Sequence, residues 1–191
     1  MAYPLRVLQR VGPLCSFLMP TNLRRVTGRK DLHFITFCCY HRRALLETAG
    51  SRDFAVQILG EVRAKYGFAL AGYVIMPEHV HLMIGETDSA SPAEVVQVFK
   101  QRVSRFMRGE KAAALEQVAA RSADGEAELR GFWQRRYYDF NAYTREKMRE
   151  KIEYMHANPV VEKLVVHPRD WPWSSWSFYA TGKGLLKMDV I

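Results

Sequence analysis

Leu32–Tyr40 (LHFITFCCY) crowds aromatic and β-branched side chains together, the pattern of a buried strand. From Ser51 to Tyr66, the apolar positions Phe54, Ile58, Val62 and Tyr66 recur every four residues, one face of a helix that Gly67 ends. Phe68–Met76 and His79–Gly85 read as two further strands with only Pro77-Glu78 between them, which predicts an antiparallel hairpin. At Ser91-Pro92-Ala93-Glu94 the chain carries a helix start: a capping hydroxyl, a proline suited to the first helical position, and a glutamate that completes a capping box. That helix is expected to reach about Arg108, with Val95, Val98, Phe99, Val103 and Phe106 inward. Residues 110–130 are rich in Ala and Glu and read as a mobile, solvated insert. Phe132–Phe140 suggests a fourth strand, and Thr144–Asn158 a helix with Ile152 and Met155 inward, stopped by Pro159.

The order β-α-β-β-α-β plus a further helix predicts an α+β fold. It is a ferredoxin-like split βαβ antiparallel sheet with helices on one face, followed by a C-terminal tyrosine-bearing helix and tail. One domain, residues 23–181, is expected between a basic and flexible N-terminal extension (1–22) and a C-terminal tail (182–191). The extension reads as dispensable, with Met19 an alternative start.

Charge narrows the range of partners. Over 191 residues, 28 Lys and Arg stand against 20 Asp and Glu, a formal +8. Residues 1–45 hold eight of the basic residues and one acid, Asp31. Such a run is a solvated arm or a phosphate-binding arm, with even claims on its own. No apolar run approaches the roughly 18 residues of a membrane-spanning helix, so no membrane partner is expected. Three cysteines, Cys15, Cys38 and Cys39, exclude a disulfide scaffold and favour a cytoplasmic protein; Cys38 and Cys39 read as strand packing.

Two short constellations offer chemistry. In His79-Val80-His81, a strand sends both imidazoles to one face, where they can chelate a divalent ion; taken alone, a surface accident or a hydrogen-bonded pair is the commoner meaning. In Tyr154-Met155-His156-Ala157-Asn158-Pro159, Tyr154 and Asn158 stack one turn apart, and the proline marks Asn158 as a helix end. An amide oxygen there can serve as a hard ligand beside a reactive phenol, but a core tyrosine with a capping asparagine fits the same spacing. His156 is expected to face elsewhere.

Taken in order, Met-Pro-x-His-x-His, Tyr-x-x-x-Asn-Pro and Trp-Pro-Trp-Ser-Ser are more specific than any one of them. With Leu32–Tyr40, Tyr73–Ile84, Phe132–Phe140, Ile152–Val160 and Asp170–Ser175, the chain resembles the single-strand DNA transposases with a His-hydrophobic-His (HUH) motif and one catalytic tyrosine. More narrowly, it resembles their REP-associated branch. The resemblance implies a metal-dependent endonuclease and strand transferase that forms a 5′-phosphotyrosine intermediate at hairpin, REP-like single-stranded DNA. His79, His81 and Asn158 would hold Mg²⁺ or Mn²⁺, Asn158 standing where the insertion-sequence branch usually has glutamine, and Tyr154 would be the nucleophile. Glu78 receives no role. DNA contacts are expected from Arg24, Arg25, Arg29, Lys30, Arg42 and Arg43, from Lys100, Arg102, Arg105 and Arg108, and from Arg135 and Arg136. The tryptophans Trp171, Trp173 and Trp176 are expected to pack back over the core rather than stack on bases. Tyr137, Tyr138 and Tyr143 are rival nucleophiles without a helical Asn partner. Either a monomer or a homodimer sharing the tyrosine helix is consistent with the resemblance. Two other functions fit the same chain: a hairpin-DNA-binding protein without cleavage, and a phosphoesterase acting through water.

Overall fold

The structure is a computed structural model that describes Gly28, residues 31–118 and residues 131–189. The N-terminal extension (1–22) and most of the expected insert lie outside the described residues.

Four strands, β1 (Leu32–Cys38), β2 (Leu70–Ile75), β3 (His79–Gly85) and β4 (Tyr138–Ala142), form one antiparallel sheet in the order β2-β3-β1-β4. This is the split-βαβ arrangement expected from the order of elements. Alternation divides each strand between two layers. On one face Ile35, Phe37, Val80, Leu82 and Ile84 bury against α1 (Ala49–Tyr66) and α2 (Pro92–Val118). On the other, Phe34, Val74 and Met83 meet Ile152, Tyr154 and Met155 of α3 (Arg145–Val161). The two crossover helices share a face, and the tyrosine-bearing helix takes the opposite one.

Local chemistry explains the boundaries. The Thr48 hydroxyl accepts from Ser51 N at the start of α1, and Gly67 closes that helix at φ 68°, a conformation that glycine adopts without strain. Ser91 and Glu94 form the expected capping box: Ser91 N donates to Glu94 Oε2 at 2.8 Å, and Glu94 N donates to Ser91 Oγ at 3.3 Å. Beyond Arg108, α2 continues to Val118 because the Ala- and Glu-rich sequence that suggested an insert is also good helix former. Met107 takes the inward position expected of Phe106, whose ring instead stacks on Phe54. The fourth strand begins later than expected. Before it, Trp133 makes only a single bridge to Cys39 and sends its indole N–H to Lys100 O at 2.9 Å.

Pro159 does not stop α3, which runs to Val161 with the proline inside it. Pro159 has no N–H for the carbonyl one turn back. The turn after it is held by Glu162 N donating to Asn158 O and Leu164 N donating to Pro159 O, both at 2.9 Å. Asn158 is therefore helical rather than a helix end. Gly72 lets α3 approach the sheet: a Cβ there would lie 2.7 Å from Met155 Cε.

The C-terminal segment encloses α3 from the other side. Ile75 N donates to Trp173 O and Ser175 N to Tyr73 O, each at 2.9 Å, so the tail lies along the β2 edge. Trp171 gives its indole N–H to Ile75 O at 3.0 Å, and Arg52 stacks on Trp173, 3.9 Å from the ring centroid. The last described residues also join the domain: Met188 is buried, and Asp189 exchanges hydrogen bonds with Leu70. After α3, the short helix α4 (Trp176–Thr181) lies within this segment. Cys39 is a buried free thiol, its pKa raised to about 12 chiefly by burial.

Candidate metal and nucleophile site

The register of β1 against β3 sets Cys38 opposite His79 and Thr36 opposite His81. Both imidazoles point to the α3 face, and their Nε2 atoms lie 3.0 Å apart. From α3, the Asn158 amide nitrogen reaches within 3.2 Å of His81 Nε2. The Tyr154 ring centroid is 5.5 Å from that of His81, at an interplanar angle of 78°. All four side chains are nearly sealed from solvent, at 2% exposure for His79, 1% for His81, 4% for Asn158 and 8% for Tyr154. The convergence occurs within one chain.

Outer contacts fix the two rings. His79 Nδ1 lies 2.8 Å from Glu78 Oε1, and that oxygen also takes a hydrogen bond from Arg42 Nη2 at 3.3 Å. Burial opposes ionisation of Glu78, but its hydrogen bond and charge interaction with His79, with Arg42 beyond, hold its pKa below the usual carboxylate range. An ionised carboxylate only accepts, so the neutral tautomer of His79 carries its proton on Nδ1 and presents a lone pair at Nε2. His81 Nδ1 lies 2.6 Å from Thr36 Oγ1. Burial, then the charges of His79, Arg42 and Lys151, push the His81 pKa well below the ordinary imidazole value, so this ring is neutral.

These tautomers leave a conflict at the centre. A proton on His81 Nε2 would satisfy His79 but oppose the Asn158 N–H, whereas a lone pair would accept from Asn158 but oppose His79. With the amide as placed, neither choice suits both neighbours, and the buried Asn158 Oδ1 has no hydrogen-bond partner among the described residues. Turning the amide over brings that oxygen to His81 Nε2, where it can accept the ring proton or stand beside two imidazole lone pairs as a third oxygen or nitrogen donor. Such a set can hold a divalent cation. Among the described residues no cluster of three or more His, Cys, Asp or Glu could do so.

Around Tyr154 the site is aromatic and cationic. Phe34 stacks on His81 with centroids 5.5 Å apart and meets Tyr154 edge-on at 6.0 Å. The Lys151 ammonium, one turn before Tyr154, lies 5.5 Å from the Phe34 centroid and 5.3 Å from that of Phe140. As expected, His156 faces away, with Nε2 2.8 Å from Ser175 Oγ. Of the rival tyrosines, Tyr138 packs edge-on to Phe34 with its hydroxyl pKa raised by burial, and Tyr143 is exposed.

Arg42 pairs with Glu78, and the other cations expected at DNA divide into three groups. Arg24, Arg25, Arg29 and Lys30 lie outside the described residues. Arg43, Arg105, Arg108, Arg135 and Arg136 are exposed. Lys100 and Arg102 each have a partner within the fold: Lys100 Nζ donates to Gln134 O, before β4, at 2.6 Å with its pKa lowered to about 8 by burial, and Arg102 pairs at the surface with Glu61 of α1. Lys100 lies over Phe37, on the sheet face away from the histidines. Glu78 and Thr36 are the site residues that the motifs missed. The available signal was chemical: a ligand histidine usually has a hydrogen-bond partner for its second nitrogen, and Glu78 precedes His79 directly.

The chain belongs to the IS200-like transposase family, whose profile matches residues 29–158, about two-thirds of its length and inclusive of all four site residues. A Haemophilus influenzae protein provisionally named a REP-associated tyrosine transposase is 21% identical over 165 residues, covering 82% of this chain and 85% of its own. Among solved structures, a REP-associated tyrosine transposase bound to a REP hairpin superposes with a TM-score of 0.64 at 20% identity, over 90% of this chain and 93% of that one. That likeness is one of fold. A provisionally assigned Deinococcus radiodurans transposase aligns over 70% of this chain and 96% of its own, at 20% identity and a TM-score of 0.45. Among the described residues no helix is long and apolar enough to cross a membrane.

Proposed function

We propose that this chain is a metal-dependent single-strand DNA endonuclease and strand transferase that cuts hairpin DNA with Tyr154 as nucleophile. The observation that carries this reading is the meeting of His79, His81 and Asn158 side chains in one buried cluster, with the Tyr154 ring 5.5 Å from His81. The fold shared with a transposase bound to a REP hairpin supports hairpin DNA as the substrate.

The two imidazoles and the amide oxygen suit Mg²⁺ or Mn²⁺, and a bound ion supplies Lewis-acid stabilisation of the charge that develops on the scissile phosphate. Tyr154 Oη attacks the phosphorus and the bond to the 3′-oxygen breaks, leaving a 5′-phosphotyrosine and a free 3′-hydroxyl. The phenol loses its proton to solvent, and the departing oxygen gains one. A phenol titrates near about 10, so Tyr154 is a weak nucleophile that depends on its setting. Lys151, one turn away, adds positive charge beside it. One phosphodiester replaces another, so the step is nearly isoenergetic, and a second 3′-hydroxyl can reverse it to join strands without ATP.

Tyr154→Phe tests this reading. Cleavage of hairpin oligonucleotides in Mn²⁺ is expected to disappear while binding persists. Retained cleavage would indicate water as the nucleophile. Wild-type protein that binds hairpins without cutting any would leave a DNA-binding module.

A further inference from the structure

We propose that the turn Tyr40–Arg42 is a stacking platform for an unpaired nucleotide next to the scissile phosphate. The inference rests on the reading of single-stranded DNA as substrate.

The turn begins where β1 ends, two residues past Cys38, the cross-strand partner of His79. Cys39 N donates to Glu78 O at 2.8 Å, so the chain leaves the sheet at the rim of the histidine site. There Tyr40 stands 45% exposed, a large ring outside both core layers. The Gly131 backbone supports the ring: a Cβ on Gly131 would fall 3.0 Å from Tyr40 Cγ, 3.1 Å from Cδ2 and 3.3 Å from Cδ1. The His41 ring stands across it at 4.1 Å and 70°. An aromatic ring held at its base and open to solvent has no role in the core.

Backbone strain at the same place is the second observation. His41 (φ 51°) and Arg42 (φ 55°) are consecutive left-handed residues, and neither is glycine. That conformation persists only where the surroundings impose it. Here Arg42 N donates to Cys39 O at 2.9 Å, Arg43 N to Tyr40 O at 3.2 Å, and Arg42 Nη2 to Glu78 Oε1 at 3.3 Å. The last bond ends on the oxygen that holds His79 Nδ1. The platform and the first imidazole are therefore anchored to one carboxylate.

Chemistry selects the occupant. Paired bases hide their faces within the duplex, whereas an unpaired base offers a π surface to an aromatic ring, with little regard for its identity. Positive charge from the turn serves the adjoining phosphates.

The test measures fluorescence anisotropy of a labelled oligothymidylate of about ten nucleotides, within the usual span of single-strand sites, against a duplex of equal length. All proteins carry Tyr154→Phe, so that no cleavage intervenes. Tyr40→Ala is expected to weaken oligothymidylate binding about tenfold and leave duplex binding unchanged, and Tyr40→Trp to restore it. Irradiating oligothymidylate that contains 5-iodouracil is expected to cross-link the Tyr40 peptide. Undiminished oligothymidylate binding by Tyr40→Ala, or an equal loss on duplex, overturns the platform and leaves the catalytic reading standing. Failure of the Tyr154→Phe parent to bind oligothymidylate or a hairpin overturns both.

Discussion

Asn158 on α3 and His81 on β3 meet with the amide nitrogen 3.2 Å from Nε2, while the amide oxygen has no hydrogen-bond partner among the described residues. This contact couples the helix that bears Tyr154 to the strand that bears both imidazoles. An unpaired buried acceptor costs about 1–3 kcal/mol, which coordination of a cation would offset.

If that oxygen is a ligand, Asn158→Leu lowers Mn²⁺ affinity at least about tenfold by calorimetry. Asn158→Asp, which offers a charged oxygen at similar reach, retains it. Equal Mn²⁺ binding by wild type and Asn158→Leu would remove Asn158 from the site.

Glu78 and Thr36 act through the rings they hold. Glu78→Gln and Thr36→Val are expected to reduce Mn²⁺ affinity about 10- to 100-fold, with circular dichroism unchanged. Wild-type affinity in both variants would make these hydrogen bonds incidental.

His33 is fully buried between two carboxylates, with Nδ1 2.8 Å from Asp139 Oδ1 and Nε2 3.1 Å from Glu86 Oε1. Burial opposes its protonation, but Asp139 and Glu86 outweigh that and raise its pKa. A raised folded value means that its contribution is fully present below the unfolded value of about 6.5 and is lost as pH rises through the folded value. His33→Gln should cost about 3 kcal/mol at pH 6, with a smaller penalty at higher pH. A denaturant-melt penalty independent of pH would show that His33 is neutral throughout.

Trp171 closes the C-terminal segment over α3 through its bond to Ile75 O and its contact with Arg52, 4.9 Å from the ring. Trp171→Ala is expected to destabilise the fold by about 3 kcal/mol, read from urea melts. A loss under about 1 kcal/mol would mean the segment contributes little to the domain.

Much of this architecture is written in local patterns. Period-four apolar residues located α1, the Ser91/Glu94 pair located the start of α2, and alternation in His79–Gly85 put both imidazoles on one face. Where local and tertiary forces compete, sequence reading went astray. Pro159 stays helical because sheet and tail bury that end of α3 on both sides. β4 starts late because Trp133 is drawn to the Lys100 carbonyl. Lys100 and Arg102 look like free cations until the helices meet, when one finds a carbonyl and the other a carboxylate. The Glu78–Arg42 link was illegible for the same reason: it joins residues that only the β1/β3 register brings together.

The most direct measurement is mass spectrometry of tryptic peptides after wild-type protein has met a hairpin oligonucleotide with a single-stranded flank in Mn²⁺. The account predicts a 5′-phosphodeoxynucleotide attached to the peptide that contains Tyr154, released when a strand with a free 3′-hydroxyl is added. Cleaved DNA with no covalent peptide, or attachment at Tyr137, Tyr138 or Tyr143, would contradict it.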